Sequence, residues 1–217
     1  MFGPVITRLI VAGAILAFFG TIIAIMIFVG NKRRGNSIAK LLEDDMNANY
    51  TRSRDIEADK FFTPDFSVLP IRSTAKGAIL QKQEMVIGSA SKKMVYFSKQ
   101  MSNIELKSRY GLATLDKITS YEENYTRYIS ALISWAEALL DNGGHEQKKD
   151  AIAILENTVS LGSDYRKTYK LLADHYVENA DVKGLDYLLD GIRSAFRDEG
   201  IKRSLLNYIT DKQEAIL

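Results

Sequence analysis

Residues 120–144 read SYEENYTRYISALISWAEALLDNGG, and this stretch decides the fold class that the sequence predicts. Apolar side chains recur there at every third or fourth position, which is the spacing of one face of an α-helix. They are Tyr125, Tyr128, Leu132, Trp135, Ala136 and Leu139. Ser120 and Glu123 have the spacing of a capping box, so we expect the helix to begin at Ser120. Asn142-Gly143-Gly144 should end it, because glycine adopts the left-handed conformation that closes many helices.

Similar helix-start and helix-stop signals occur on both sides of this stretch. Further helices are predicted over residues 74–98, 146–161, 164–179, 182–196 and 201–215, with breaks at Gly162, Asn179-Ala180-Asp181 and Gly200. Ser102 and Glu105 form a second capping-box pattern. Beyond Pro70 no proline removes a backbone donor, and no segment alternates polar and apolar residues as a strand does. The sequence therefore predicts an all-α body.

Two of the predicted helices share a further pattern. Tyr169-x-x-Leu172-Ala173-x-x-Tyr176 resembles the first helix of a tetratricopeptide repeat, and Leu132-x-x-Trp135-Ala136-x-x-Leu139 occupies the same places earlier in the chain. Trp135 precedes Leu172 by 37 residues, three more than the family's repeat of about 34. The resemblance covers residues 128–192, with 201–215 as a capping helix. Leu132, Leu185 and Ser163 stand where the family prefers an aromatic residue, Ala and Pro, respectively.

The resemblance implies an array of antiparallel helical hairpins that binds a protein or peptide. In tetratricopeptide proteins the first helix of each hairpin lines a concave groove. The positions that match it here are Ser130, Ile133 and Glu137 from one hairpin, and Lys167, Lys170, Asp174 and Glu178 from the next. Their mixed charge favours an extended partner. An ordinary solvated helix face is the alternative interpretation of these residues.

The N-terminal region has a different character. Leu9–Val29 is a run of 21 residues without a charge, long enough to span the ~30 Å hydrocarbon layer as one helix. A cleavable signal peptide is the alternative, but its apolar core is shorter. Lys32-Arg33-Arg34 follows the run, so the positive-inside rule predicts an outside N-terminus and a cytoplasmic body. An extracytoplasmic body is the other orientation.

Three regions follow from this division. Residues 1–34 are the predicted transmembrane anchor with its basic flank, 35–73 a polar stem with a Phe- and Pro-rich strap, and 74–217 the helical domain. Gly13, Ala17, Gly20 and Ala24 form a stripe of small residues in the anchor, which would let a second membrane helix approach closely in a homo- or hetero-oligomer. The strap, FFTPDFSVLPI at 61–71, is either packed on the helices or a docking motif.

Composition and motifs argue against nucleic-acid binding and catalytic activity in this chain. The first 34 residues carry four basic and no acidic side chains, whereas the remainder holds 25 basic and 27 acidic ones, so no basic face for nucleic acid is expected. Cysteine is absent, and His145 and His175 belong to no metal or catalytic motif. We expect no enzyme activity, cofactor or metal. The sequence favours a membrane-anchored interaction adaptor, with a structural subunit of a larger membrane assembly as the alternative.

Overall fold

A computed structural model describes residues 38–97 and 101–216 of the chain. The predicted anchor and its small-residue stripe, Gly13, Ala17, Gly20 and Ala24, lie outside the described residues. Within the two described ranges, no helix has both the length and the hydrophobicity needed to cross a bilayer.

The described chain is mostly helical, which confirms the all-α prediction. Helix α1 covers residues 38–49. It is followed by α2 (Gly77–Ala90), α3 (Asn103–Tyr110), α4 (Leu112–Asn142), α5 (His145–Ser160), α6 (Arg166–Glu178), α7 (Val182–Ala195) and α8 (Glu199–Glu214). Two 3-10 turns, Ala58–Lys60 and Phe66–Val68, and two short strands, β1 (Phe61–Phe62) and β2 (Met94–Val95), complete the described elements. The bounds of α5 to α8 lie within two residues of those predicted from the sequence.

Of the two predicted capping boxes, one starts a helix and the other does not. The Ser102 N–H donates to Glu105 Oε2 at 2.7 Å and the Glu105 N–H donates to Ser102 Oγ at 3.2 Å, so α3 begins as predicted. The start predicted at Ser120 is wrong, because α4 already begins at Leu112. No proline or glycine lies between Gly111 and Ser120, so nothing interrupts the helix there. A Ser-x-x-Glu pattern marks a helix start only where its serine is not itself in the helical conformation.

A two-stranded ladder replaces the end of one predicted helix. The helix expected over 74–98 ends at Ala90, and β2 then pairs antiparallel with β1, with Phe61 opposite Val95 and Phe62 opposite Met94. Each strand contributes two residues, too few to display the alternation by which strands are recognised in a sequence. The pairing joins segments about thirty residues apart and is therefore a tertiary feature.

The chain divides into two compact units. The first contains α1, α3 and the start of α4. Within it the Arg54 N–H donates to the Tyr110 carbonyl at 2.9 Å, beside Gly111 at φ 78°. A Cβ on Gly111 would lie 2.8 Å from the Ser53 Cα, so glycine is required both for the backbone angle and for this close approach.

The second unit contains β1, α2, β2, most of α4 and α5 to α8. In it α6 packs against α5, α7 and α8 in turn, and α7 also packs against α5 and α8. Trp135 and Leu172 are buried in its core, at 1% and 0% exposure. The strap lies on these helices: the Phe62 ring meets the Tyr125 ring edge-on at 5.0 Å, and Leu69 is buried.

Candidate interaction surface

One face of the second unit brings together most of the residues that the repeat pattern predicted for binding. We call it the inner face. It consists of exposed and partly exposed side chains from α4, α6 and α8: Ser130, Glu137, Lys167, Lys170, Asp174, Tyr208 and Lys212. Lys167, Lys170 and Asp174 recur at three- and four-residue spacing on α6, so they share a side of that helix. The opposite side of α6 places Tyr169, Leu172 and Tyr176 in the core.

Four charged residues of the inner face form two ion pairs within the protein. Lys167 Nζ lies 2.7 Å from Glu137 Oε1, which links α6 to α4. Lys212 Nζ lies 2.8 Å from Asp174 Oδ1, which links α8 to α6. The hydrogen bond to Asp174 raises the pKa of the Lys212 ammonium. These pairs cross from helix to helix and give the face alternating signs of charge.

An aromatic ring lies in the middle of the charged residues. The Nζ atoms of Lys170 and Lys212 are each 5.2 Å from the centroid of the Tyr208 ring, within the range of cation–π attraction. The Tyr208 hydroxyl donates to Asp174 Oδ1 at 3.2 Å. Neither Tyr208 nor Lys212 was predicted, because the sequence pattern treated α8 as a cap and assigned no binding positions to it.

Of the predicted groove residues, Ser130 belongs to the inner face, whereas Ile133 and Glu178 do not. Ser130 Oγ and the Tyr165 hydroxyl share a hydrogen bond of 2.6 Å. Ile133 is only 5% exposed, so its side chain lies in the core and not on the exposed face where the repeat pattern placed it. The reason is that α4 is buried around most of its circumference here, since Ala131, Leu132, Trp135 and Ala136 are buried as well. Glu178 is exposed at the last residue of α6.

A groove that the sequence did not predict adjoins the inner face. It has a volume of about 550 Å³ and lies between α2 and α4. We call it the α2–α4 groove; its lining residues are Met85, Gly88, Ser89, Lys92, Thr126, Arg127, Ser130, Ala131 and Ser134. Met85 is 49% exposed, unusually open for a methionine. Thr126, Ser130 and Ser134 recur every four residues on α4, and this small polar stripe is the one sequence signal that could have indicated the groove.

The side chains with strongly shifted pKa values are core tyrosines. Burial raises the pKa of Tyr128 to about 12, and it also raises the pKa of Tyr125 and Tyr169. The hydroxyl of Tyr125 donates to the Leu161 carbonyl at 2.7 Å and that of Tyr169 to the Ser163 carbonyl at 2.9 Å. These phenols therefore join helices and loops as hydrogen-bond donors. In the part of the chain described, no three His, Asp or Glu side chains are grouped as metal ligands.

Comparison with known proteins adds no relative: no family model, no curated protein and no solved structure matches this chain. The class that the geometry defines is an all-α protein with a charged, multi-helix face next to an apolar groove.

Proposed function

We propose that this protein is a membrane-anchored adaptor, which binds a segment of another protein along the inner face and the α2–α4 groove and performs no chemistry itself. The anchor in this proposal is the uncharged run Leu9–Val29, and the basic cluster that follows it directs the body to the cytoplasm. The helical body is a tetratricopeptide-like array of hairpins.

The observation that carries the proposal is the continuity of the groove with the inner face along α4. Ser130 and Ser134 line the groove, and Glu137 follows on the same side of the helix, at the i, i+4, i+7 spacing. Glu137 forms an ion pair with Lys167 of α6, the next helix that contributes to the inner face. A bound segment would therefore pass from an apolar site to a charged one without leaving α4.

The chemistry of this surface indicates the kind of segment that fits it. An apolar side chain would enter the groove beside Met85 and Ala131, where buried apolar area gives affinity. Ser130 and Ser134 offer hydroxyls that both donate and accept, which suits backbone amides or side-chain amides. Charged residues of either sign could exchange with the Glu137–Lys167 pair, and such rim contacts give specificity more than affinity. The expected partner is a short segment with one large apolar residue flanked by charges.

The packing of α5 to α8 supports the hairpin-array part of the proposal. Each of these helices packs on the next in sequence, and α6 also packs on α8 while α5 packs on α7. Stacked hairpins produce this pattern, because each must cover an apolar face that it cannot bury alone.

A structural subunit of a larger membrane assembly is the second candidate, and the strap favours it. Phe66, Val68 and Ile71 point outward from the strap with 43%, 51% and 40% of their surface exposed. Together with the small-residue stripe of the anchor, they would supply assembly contacts other than those of the inner face. Replacing Gly13 and Gly20 with Leu should break such an assembly and leave an adaptor's partner bound.

Site-specific photocrosslinking in the native membrane tests the adaptor. A photoreactive amino acid at Ser134 reports on the groove, and the matched control is the same residue at Asp190, on the exposed side of α7. We expect one discrete adduct from position 134, none from position 190, and loss of the adduct when Met85 becomes Glu. Equal adduct patterns at the two positions would contradict the adaptor. An adduct found only with a photoreactive residue at Phe66 would favour the assembly subunit.

A further inference from the structure

Helix α1 exposes an apolar side that no described part of the chain covers. Ile38, Leu41, Leu42 and Met46 are 59%, 54%, 62% and 60% exposed. At about 100° per residue they lie within one half of the helix circumference, and Lys40, Glu43, Asp44 and Asn47 occupy the other half. The helix is therefore amphipathic, with its apolar side exposed.

The C-terminal end of α1 is held in the first compact unit. Ala48 is buried at 2% exposure, and Asp45 Oδ1 accepts a hydrogen bond from Lys107 Nζ of α3 at 2.7 Å. Asp45 is the charged residue that falls within the apolar half, and this ion pair neutralises it. The open apolar side is thus presented by a fixed helix.

The chain length before α1 restricts what can cover this side. Ile38 stands nine residues after Val29, the last residue of the uncharged run, so it lies at most about 30 Å from the end of that run even with a fully extended link. Lys32, Arg33 and Arg34 fall within the link and complement the charge of anionic lipid headgroups. A bilayer that holds the anchor is therefore always within reach of α1.

We propose that α1 lies in the membrane surface, with Ile38, Leu41, Leu42 and Met46 inserted among the lipid headgroups and Lys40 and Asn47 facing water. Helices that lie in the interface have this distribution of apolar and polar residues. The inference rests on the membrane anchoring proposed above. It makes α1 a second contact with the membrane, which restricts the tilt of the first unit.

The absence of cysteine makes a direct test possible. The full chain is reconstituted in vesicles of phosphatidylcholine and phosphatidylglycerol, with a single cysteine that carries an environment-sensitive fluorophore. Leu42→Cys places the label on the apolar side, and Lys40→Cys, two residues away, is the matched control on the polar side. Leu16→Cys reports separately on the anchor. Both α1 positions are exposed, so these changes should leave the fold intact.

We expect spin-labelled lipid to quench the Leu42 label several-fold more strongly than the Lys40 label, and aqueous iodide to show the reverse order. Equal quenching of these two labels while lipid quenches the Leu16 label would overturn the inference and leave the anchor in place. A Leu16 label quenched only by iodide would overturn both. Rapid disulfide formation between two unlabelled Leu42→Cys chains, with no lipid quenching, would assign the apolar side to a second copy instead.

Discussion

The ammonium of Lys167 lies 2.7 Å from the Glu137 carboxylate, which joins the first turn of α6 to the C-terminal part of α4. The Lys167 side chain is 63% exposed and that of Glu137 is 31% exposed. A pair this open contributes within about 1 kcal/mol to stability, because water screens it. The pair is therefore available to a binding partner at little cost to the fold.

Reversing charge on α6 should separate binding from folding. The double change Lys167→Glu and Lys170→Glu should weaken partner capture, while the free energy of unfolding changes by no more than about 1 kcal/mol. Capture is measured by the yield of the crosslinked adduct and stability by urea unfolding. Arg193→Glu on α7, which breaks the exposed Arg193–Asp190 pair, is the matched control and should leave capture unchanged. Equal loss in both variants would indicate a nonspecific charge effect.

Filling the α2–α4 groove should also weaken capture without damaging the helix. Apart from the helix's own neighbouring backbone, no atom lies within 4 Å of the position that a Cβ would take on Gly88, so there is room for a larger side chain. Gly88→Ala should stabilise the protein by about 0.5–1 kcal/mol, since glycine costs about that much within a helix. Gly88→Leu should in addition occupy the groove and lower the adduct yield. Thermal melting and crosslinking of both variants check this; unaltered capture by the leucine variant would remove the groove from the binding surface.

Replacing Gly184 with alanine should lower stability, whereas the same change at Gly88 should raise it. A Cβ there would lie 2.6 Å from the ring of Tyr176, and this ring is held by the hydrogen bond that its hydroxyl donates to Glu156 at 2.7 Å. Gly184→Ala should therefore destabilise the protein by about 1–3 kcal/mol, the usual cost of overpacking. A lowered unfolding midpoint in urea is the expected result. An unchanged midpoint would mean that α7 shifts freely along α6.

Trp135 lies in the core, and two substitutions separate the contribution of its packing to stability from that of its indole N–H. Trp135→Ala should destabilise the protein by roughly 3–5 kcal/mol, because the side chain is only 1% exposed. The indole Nε1 has no hydrogen-bond partner, so Trp135→Phe loses volume but no hydrogen bond and should cost clearly less. Urea unfolding measures both. Equal losses would mean that the indole N–H makes a contact after all.

Alkaline pH should destabilise the fold through the buried tyrosines. Burial raises the pKa of Tyr128 from 10.0 to about 12, and the charge of Asp65 adds to the effect. Between these values the folded state holds a proton that the unfolded state has lost, so stability falls as pH rises, by about 1.4 kcal/mol per pH unit for each such tyrosine. Urea unfolding between about pH 10 and pH 12 measures the slope, and pH 8 gives the baseline. Tyr128→Phe should make that slope less steep by the contribution of one tyrosine, about 1.4 kcal/mol per pH unit.

Local signals in the sequence were sufficient for the helices of the C-terminal half. The three- and four-residue periodicity of α5 to α8 and the breaks at Gly143 and Gly162 depend on neighbouring residues, and the structure confirms these bounds. The resemblance to the tetratricopeptide repeat implied that Lys167, Lys170 and Asp174 lie on an exposed side of α6, and all three are exposed. Trp135 and Leu172 stand on such recurrent apolar faces and are buried, since an apolar face must be covered.

Only the tertiary structure decided which parts of the chain meet across long separations. Ile133 could not be recognised as buried, because its burial depends on how many elements surround α4 and not on its own neighbours. The early end of α2 and the β1–β2 pairing required contacts between Phe62 and Met94. The α2–α4 groove likewise exists because residues some forty positions apart line one space. Helix periodicity is a property of a few successive residues, whereas a surface is set by the packing of distant segments, which a local pattern on one helix cannot specify.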